Sequence, residues 1–102
     1  MAKNGFEVFQ SESPKVAAAF NALIESLSAP SALDPKTKHL IYIGMKIANG
    51  DQSAVVAHVP MAKKLGATRE EIRETVLLTL TVCGLKGINS SLGPALETYD
   101  KA

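Results

Sequence analysis

Two histidines, His39 and His58, are the side chains in this sequence best suited to exchange a proton near neutral pH. His58 closes the small apolar run Ala54-Val55-Val56-Ala57 and stands two residues before Pro60. A proton donor held among apolar groups is one reading; a half-buried ring that fills a gap is the other. His39 opens the apolar part of a helical pattern beside Lys36 and Lys38, where a plain surface position is the alternative. Asp51 lies seven residues before His58, about two helical turns, so carboxylate and ring can share a face. Asp51 is equally placed to cap a helix. Cys83 reads either as a nucleophile or as a small apolar residue. Asn89 and Ser90 follow a glycine-containing bend and can hydrogen-bond a ligand or cap the next helix. The sequence has no glycine-rich phosphate loop and no Ser-His-Asp order, and two histidines are too few to specify a metal site.

Helices must position these groups, because apolar residues recur at three and four rather than at two. Residues 1–12 read as an irregular lead-in whose Phe6 and Phe9 dock on something apolar. Ser13-Pro14 predicts the first helix start, with Ser as N-cap and Pro at the first helical position. Val16, Phe20, Leu23, Ile24 and Leu27 then form one stripe, and Pro30 ends it. Asp34-Pro35 starts a second helix that runs to Ala48 and stops at Asn49-Gly50. This helix is apolar nearly all round, which predicts burial on several sides and hints at a subunit interface. Asp51 caps a third helix, about 52–65, with Pro60 inside it as an expected kink and Gly66 at its end. Thr68-Arg69-Glu70-Glu71 is a capping box. The fourth helix carries the uncharged run Thr75–Leu85 and is placed at the centre. A last helix covers Ser90–Tyr99, with a distortion at Gly93-Pro94. The fold class is all-α: a small bundle of about five helices built from antiparallel hairpins.

A chain of 102 residues is expected to form a single domain, 1–102. Eleven basic residues face ten acidic ones, a formal charge of +1, which gives no reason to expect nucleic acid or an anionic membrane as partner. With 46% hydrophobic and 21% charged residues the composition is that of a folded protein. A single cysteine rules out an intrachain disulfide and a cysteine-only metal site within one chain. The run Thr75–Leu85 is far short of the roughly 20 residues of a membrane helix. The N-terminal stretch lacks the apolar centre of a signal peptide, so a reducing cytoplasm is the expected location.

Residues 34–98 carry a resemblance. Led in by Leu33, they open on Asp34-Pro35-Lys36-Thr37-Lys38, then carry Ala57-His58-Val59-Pro60-Met61-Ala62, then Gly66-Ala67-Thr68-Arg69-Glu70-Glu71-Ile72-Arg73-Glu74, and finally Cys83-Gly84 and Asn89-Ser90. Together these segments resemble the carboxymuconolactone decarboxylase family, which implies the alkylhydroperoxidase D-like fold. The family's peroxidase branch carries a glutamate on the second helix, then Cys-x-x-Cys, then a histidine four residues on. Counted back from His58, the two cysteine positions hold Asp51 and Ala54, and the glutamate position holds His39. Peroxide reduction by a dithiol needs two sulfurs, and one cysteine cannot supply them. The decarboxylase branch lacks the cysteine pair, keeps the histidine, and is similar to this chain at Cys83-Gly84 and Asn89-Ser90. Between these the chain has Leu-Lys-Gly-Ile, where that branch tends to a Pro-Ala-Ala-like stretch, and Lys86 is a departure that would alter the pocket.

The resemblance implies decarboxylation of a carboxylated unsaturated lactone, or related lactone or small-acid chemistry, without metal or organic cofactor. It implies His58 as proton donor or oxyanion partner, Asn89 as a hydrogen-bond donor to the lactone, and His39 as a holder of substrate carboxylates. Ile43, Ile47, Val55 and Val82 would form apolar walls. It also implies a homo-oligomer, trimer or hexamer, with a small-molecule substrate. The alternatives are another lactone reaction on the same scaffold, a non-catalytic binding or structural oligomer, and a peroxidase activity of Cys83 with an external thiol. The last requires Cys83 to be exposed and activated.

Overall fold

The computed structural model describes residues 4–102, and every regular element among them is helical. Six helices have eight residues or more: α1 Gly5–Glu12, α2 Pro14–Ser28, α3 Pro35–Ala48, α4 Gln52–Lys64, α5 Arg69–Leu78 and, after the short α6 Leu80–Cys83 and α7 Leu85–Gly87, α8 Gly93–Lys101. A π-helical turn, Ile88–Leu92, joins α7 to α8. None of the helices in the described residues is long and apolar enough to cross a membrane. Two compact units divide the chain after Ser31.

The first unit corrects the expectation of an irregular lead-in. Asn4 and Glu7 form a capping box: the Asn4 side chain accepts from the Glu7 N–H at 2.8 Å, and the Glu7 carboxylate accepts from the Asn4 N–H at 3.4 Å. That device starts α1 and aligns Phe6 with Phe9 on one face. The two rings lie 6.0 Å apart edge-on, and both meet Phe20 of α2, Phe6 tilted at 6.3 Å and Phe9 edge-on at 6.1 Å between centroids. So the two phenylalanines do dock, and on α2. Ser13 precedes α2 as expected, with Pro14 in the first turn, but its side chain makes no capping hydrogen bond. Val16, Leu23 and Leu27 of the α2 stripe are exposed.

The second unit holds the core. Asp34 starts α3, accepting from the Thr37 N–H at 2.8 Å. Gly50, with φ +77°, turns the chain in three residues, and Asp51 caps α4 by accepting from the Ala54 N–H at 3.1 Å. α4 then runs through Pro60 to Lys64. Gly66, with φ +100°, ends it, and the Thr68–Glu71 capping box starts α5. Ile43 and Ile47 of α3, Val55, Val59 and Ala62 of α4, Ile72 and Val76 of α5, and Ala95 of α8 are buried together. Lys36 holds Glu71 at 3.0 Å, and Arg69 holds Asp100 at 2.9 Å, pinning both sides of the α5 entrance.

The run Thr75–Leu85 is not one central helix. Thr79 interrupts it, and its hydroxyl donates to the Val76 carbonyl at 2.6 Å, while Thr81 donates to the Leu78 carbonyl at 2.8 Å. Such back-bonding competes with the helical ladder. Gly84, with φ +57°, breaks the chain again. Only Val76 and Thr79 of the run are buried; Leu78, Val82 and Leu85 are 70%, 78% and 67% exposed. The second unit offers them no further layer to pack against. The expected distortion at Gly93-Pro94 is the π turn itself. Proline in the first turn of α8 cannot donate backward and crowds the carbonyl four residues earlier, which a widened turn relieves.

Candidate functional site

The short turn between α3 and α4 makes them antiparallel neighbours, and the residues flanking it set their register. Lys46, in the last turn of α3, reaches Asp51 at the start of α4, Nζ to carboxylate 3.4 Å. Seven residues back along α3 from Lys46 is His39, and seven forward along α4 from Asp51 is His58. Seven residues are close to two turns, so both steps return to the same face and the two histidines meet. His58 Nδ1 and His39 Nε2 lie 3.0 Å apart, with ring centroids 5.0 Å apart. One ring donates and the other accepts, so the contact holds at least one proton and cannot exist between two doubly protonated rings.

Tyr42 and Lys46 complete the α3 side. The Tyr42 ring centroid is 4.6 Å from that of His58, and the Lys46 ammonium lies 5.6 Å from the Tyr42 centroid. Both are absent from the residues singled out by chemical type, although their spacing of three and seven from His39 places them on its face.

Both histidines are partly buried, and both have pKa values below the ordinary 6.5. For His39 the cause is burial, with hydrogen bonding to His58 working the other way. For His58 burial acts first, then the charge of protonated His39, then that of Lys46. Burial thus favours the uncharged form of both rings. Lys46 brings an ammonium group to the same face.

The other expected site residues lie elsewhere. Asp51 is engaged as a cap, accepting from Ala54 N–H and from the Ser53 hydroxyl at 3.0 Å. Cys83 is half-buried at the end of α6, its thiol donating to the Thr79 carbonyl at 3.2 Å. Asn89 is exposed in the π turn. Among the described residues neither shares a hydrogen bond or ring contact with the histidines. The expected apolar walls divide as well. Ile43, Ile47 and Val55 are core residues at most 3% exposed, because they occupy the stripe of each helix that faces its neighbours. Val82 instead lines an apolar groove of about 400 Å³ with Leu40, Ile41, Met45, Ala48 and Leu78. That groove opens on a different face of α3 from His39, Tyr42 and Lys46, so it is not the wall of the histidine site.

An all-helical unit with His58 on its central hairpin and no cysteine pair agrees with the resemblance that the motifs carry. The sequence pattern of the carboxymuconolactone decarboxylase family matches residues 14–97. The fold is similar to the apo crystal structure of a carboxymuconolactone decarboxylase family protein from Legionella pneumophila, with a TM-score of 0.82 and 30% identity, over 91% of this chain and 82% of that one. No curated protein matches the chain. The chain belongs to the carboxymuconolactone decarboxylase family.

Proposed function

We propose that this protein is a decarboxylase-type enzyme of small carboxylated lactones or related acids, and that His58 delivers the proton that replaces carbon dioxide. The single observation that carries this reading is the 3.0 Å contact between His58 Nδ1 and His39 Nε2 across the α3–α4 hairpin, in which one ring donates a proton to the other. The bond between the substrate carbon and its carboxylate breaks, and the electron pair spreads into the conjugated lactone carbonyl. Carbon dioxide leaves, and the Nε2 proton of His58 passes to the carbon. Lys46, drawn toward this face by Asp51 and Tyr42, attracts the anionic substrate. Cys83 and Asn89 take no part in this scheme.

The exposed apolar groove and the outward Leu78, Val82 and Leu85 favour a homo-oligomer, trimer or hexamer, because a chain of this size seldom leaves so much apolar surface to water.

An ultraviolet assay with 4-carboxymuconolactone compares the wild type with His58→Ala. Loss of general acid catalysis is expected to lower turnover by about a hundredfold or more. Undiminished turnover in the variant would remove His58 from the reaction. An inactive wild type would remove this substrate class.

A further inference from the structure

A neutral His58 cannot serve as an acid by itself. Releasing the Nε2 proton from a neutral imidazole leaves an imidazolate anion, which forms only at strongly basic pH. The second ring removes that obstacle if a proton reaches Nδ1 as the other departs from Nε2. We infer that His39 donates its Nε2–H to Nδ1 of His58 and reloads His58 with a proton during turnover. The inference rests on His58 being the donor to carbon, as proposed above.

Two arrangements satisfy the 3.0 Å contact. In the first, His39 Nε2–H donates, and both rings carry their proton on Nε2. In the second, His58 Nδ1–H donates, and both rings carry it on Nδ1. A neutral imidazole substituted at its ring carbon favours the Nε2–H tautomer, so the first arrangement places both rings in their preferred form. It also leaves His58 Nε2–H as a donor. Tyr42 of α3 packs against the His58 ring, and Lys46 of α3, held two turns away by Asp51 at the head of α4, is the charged group that acts on His58. Burial first, then a charge on His39, then Lys46 disfavour an imidazolium on His58.

The proton count closes. The His58 Nε2–H bond breaks as its proton goes to the substrate carbon. The His39 Nε2–H bond breaks as its proton goes to His58 Nδ1. Water supplies one proton to Nδ1 of His39, which is partly exposed, and the hydroxide left behind is taken up by the buffer or by the released carbon dioxide as bicarbonate. One solvent proton is consumed for each carboxylate lost as carbon dioxide, and exchange with water returns both rings to the starting tautomers. His39 is thus a positioning residue, acting on substrate only through His58.

Nitrogen-15 NMR of the wild type at neutral pH reads the direction without any substrate. The expected result is an unprotonated His58 Nδ1 and a protonated His39 Nε2; the reverse assignment overturns the inference. His39→Gln supplies a kinetic test. Its amide N–H can hold the His58 tautomer but has no proton to pass on. The expected outcome is a kcat lower by about a hundredfold with KM unchanged. Wild-type kcat in His39→Gln would show that orientation alone suffices and overturn the relay. If the wild type does not turn over the lactone, the substrate reading falls, and the nitrogen shifts still decide the direction of the bond.

Discussion

Gly87→Ala separates helix propensity from packing. Gly87 has helical backbone angles, φ −68° and ψ −37°, so propensity alone predicts that alanine stabilises the chain by up to about 1 kcal/mol. The packing predicts the opposite. A Cβ at this position would lie 2.7 Å from Thr79 Oγ1, 2.8 Å from Ile47 Cγ2 and 3.1 Å from Cys83 Sγ. Carbon atoms in contact prefer separations of about 3.5–4.0 Å. None of the first two neighbours can retreat easily: Ile47 is 3% exposed within the core, and the Thr79 hydroxyl is bonded to the Val76 carbonyl. Overpacking a filled core costs roughly 1–3 kcal/mol, and two such approaches put this site at the upper end. The net effect is a destabilisation of about 2 kcal/mol, or a fall in Tm of roughly 8–16 °C for a domain this size. Thermal melts followed by circular dichroism at fixed protein concentration measure it. Gly5→Ala, where the added Cβ meets nothing within 4 Å, is the control. Adding Thr79→Ala to Gly87→Ala should recover part of the loss, a positive coupling in a double-mutant cycle. A Gly87→Ala protein as stable as the wild type would refute the close approach.

Low pH should weaken the fold. Both histidines have folded-state pKa values below 6.5, so just below that pH the unfolded chain binds more protons; stability is complete above it and is lost as pH falls. Melts between pH 7.5 and 5 should show this slope, and replacing both histidines by Gln should flatten it; a flat wild-type profile contradicts the paired neutral state. Thr68→Ala removes the side chain that accepts from the Glu71 N–H at 3.1 Å and should cost about 1 kcal/mol, read as a Tm lower by a few degrees. Val82→Glu, at an outward position on the apolar groove, should lower the mass seen by light scattering; a wild type already monomeric at micromolar concentration removes the oligomer.

Most helix boundaries were legible because they are written in local chemistry. Asp34-Pro35, Asn49-Gly50-Asp51 and Thr68 to Glu71 each satisfy or terminate backbone groups within a few residues, and the ends of α3, α4 and the start of α5 follow them. The same logic would have found α1, since Asn4 and Glu7 have the spacing of the box at Thr68 and Glu71. The Thr75–Leu85 run departs from the expected central helix for a different reason. Hydrophobicity reports that a segment avoids water, not which neighbour covers it, and the interruptions at Thr79 and Gly84 come from local backbone chemistry that composition does not display. The site was half legible. His39 and His58 were singled out by residue type, but as separate groups. Tyr42 and Lys46 were missed because neither belongs to a motif, and Asn89 was drawn in by a motif whose side chain faces water in this chain.

The pairing itself was within reach of arithmetic. In an antiparallel hairpin, residues equally far from the turn oppose each other, and Lys46 with Asp51 and His39 with His58 are the same pairing two turns apart. The proton-sharing distance is therefore a property of the three-residue connection at 49–51 as much as of the rings. Gly50 makes that connection possible by taking a φ of +77°, which strains any residue with a Cβ. One residue inserted there would turn α4 by about 100° relative to α3 and carry His58 off the face of His39. The core would resist such a rotation, because Val55 and Val59 are locked against Ile43 and Ile47 on the neighbouring stripe. The contacts that bury the hairpin and the contact that shares the proton thus depend on one register, so the packing of the core holds the chemical groups in place.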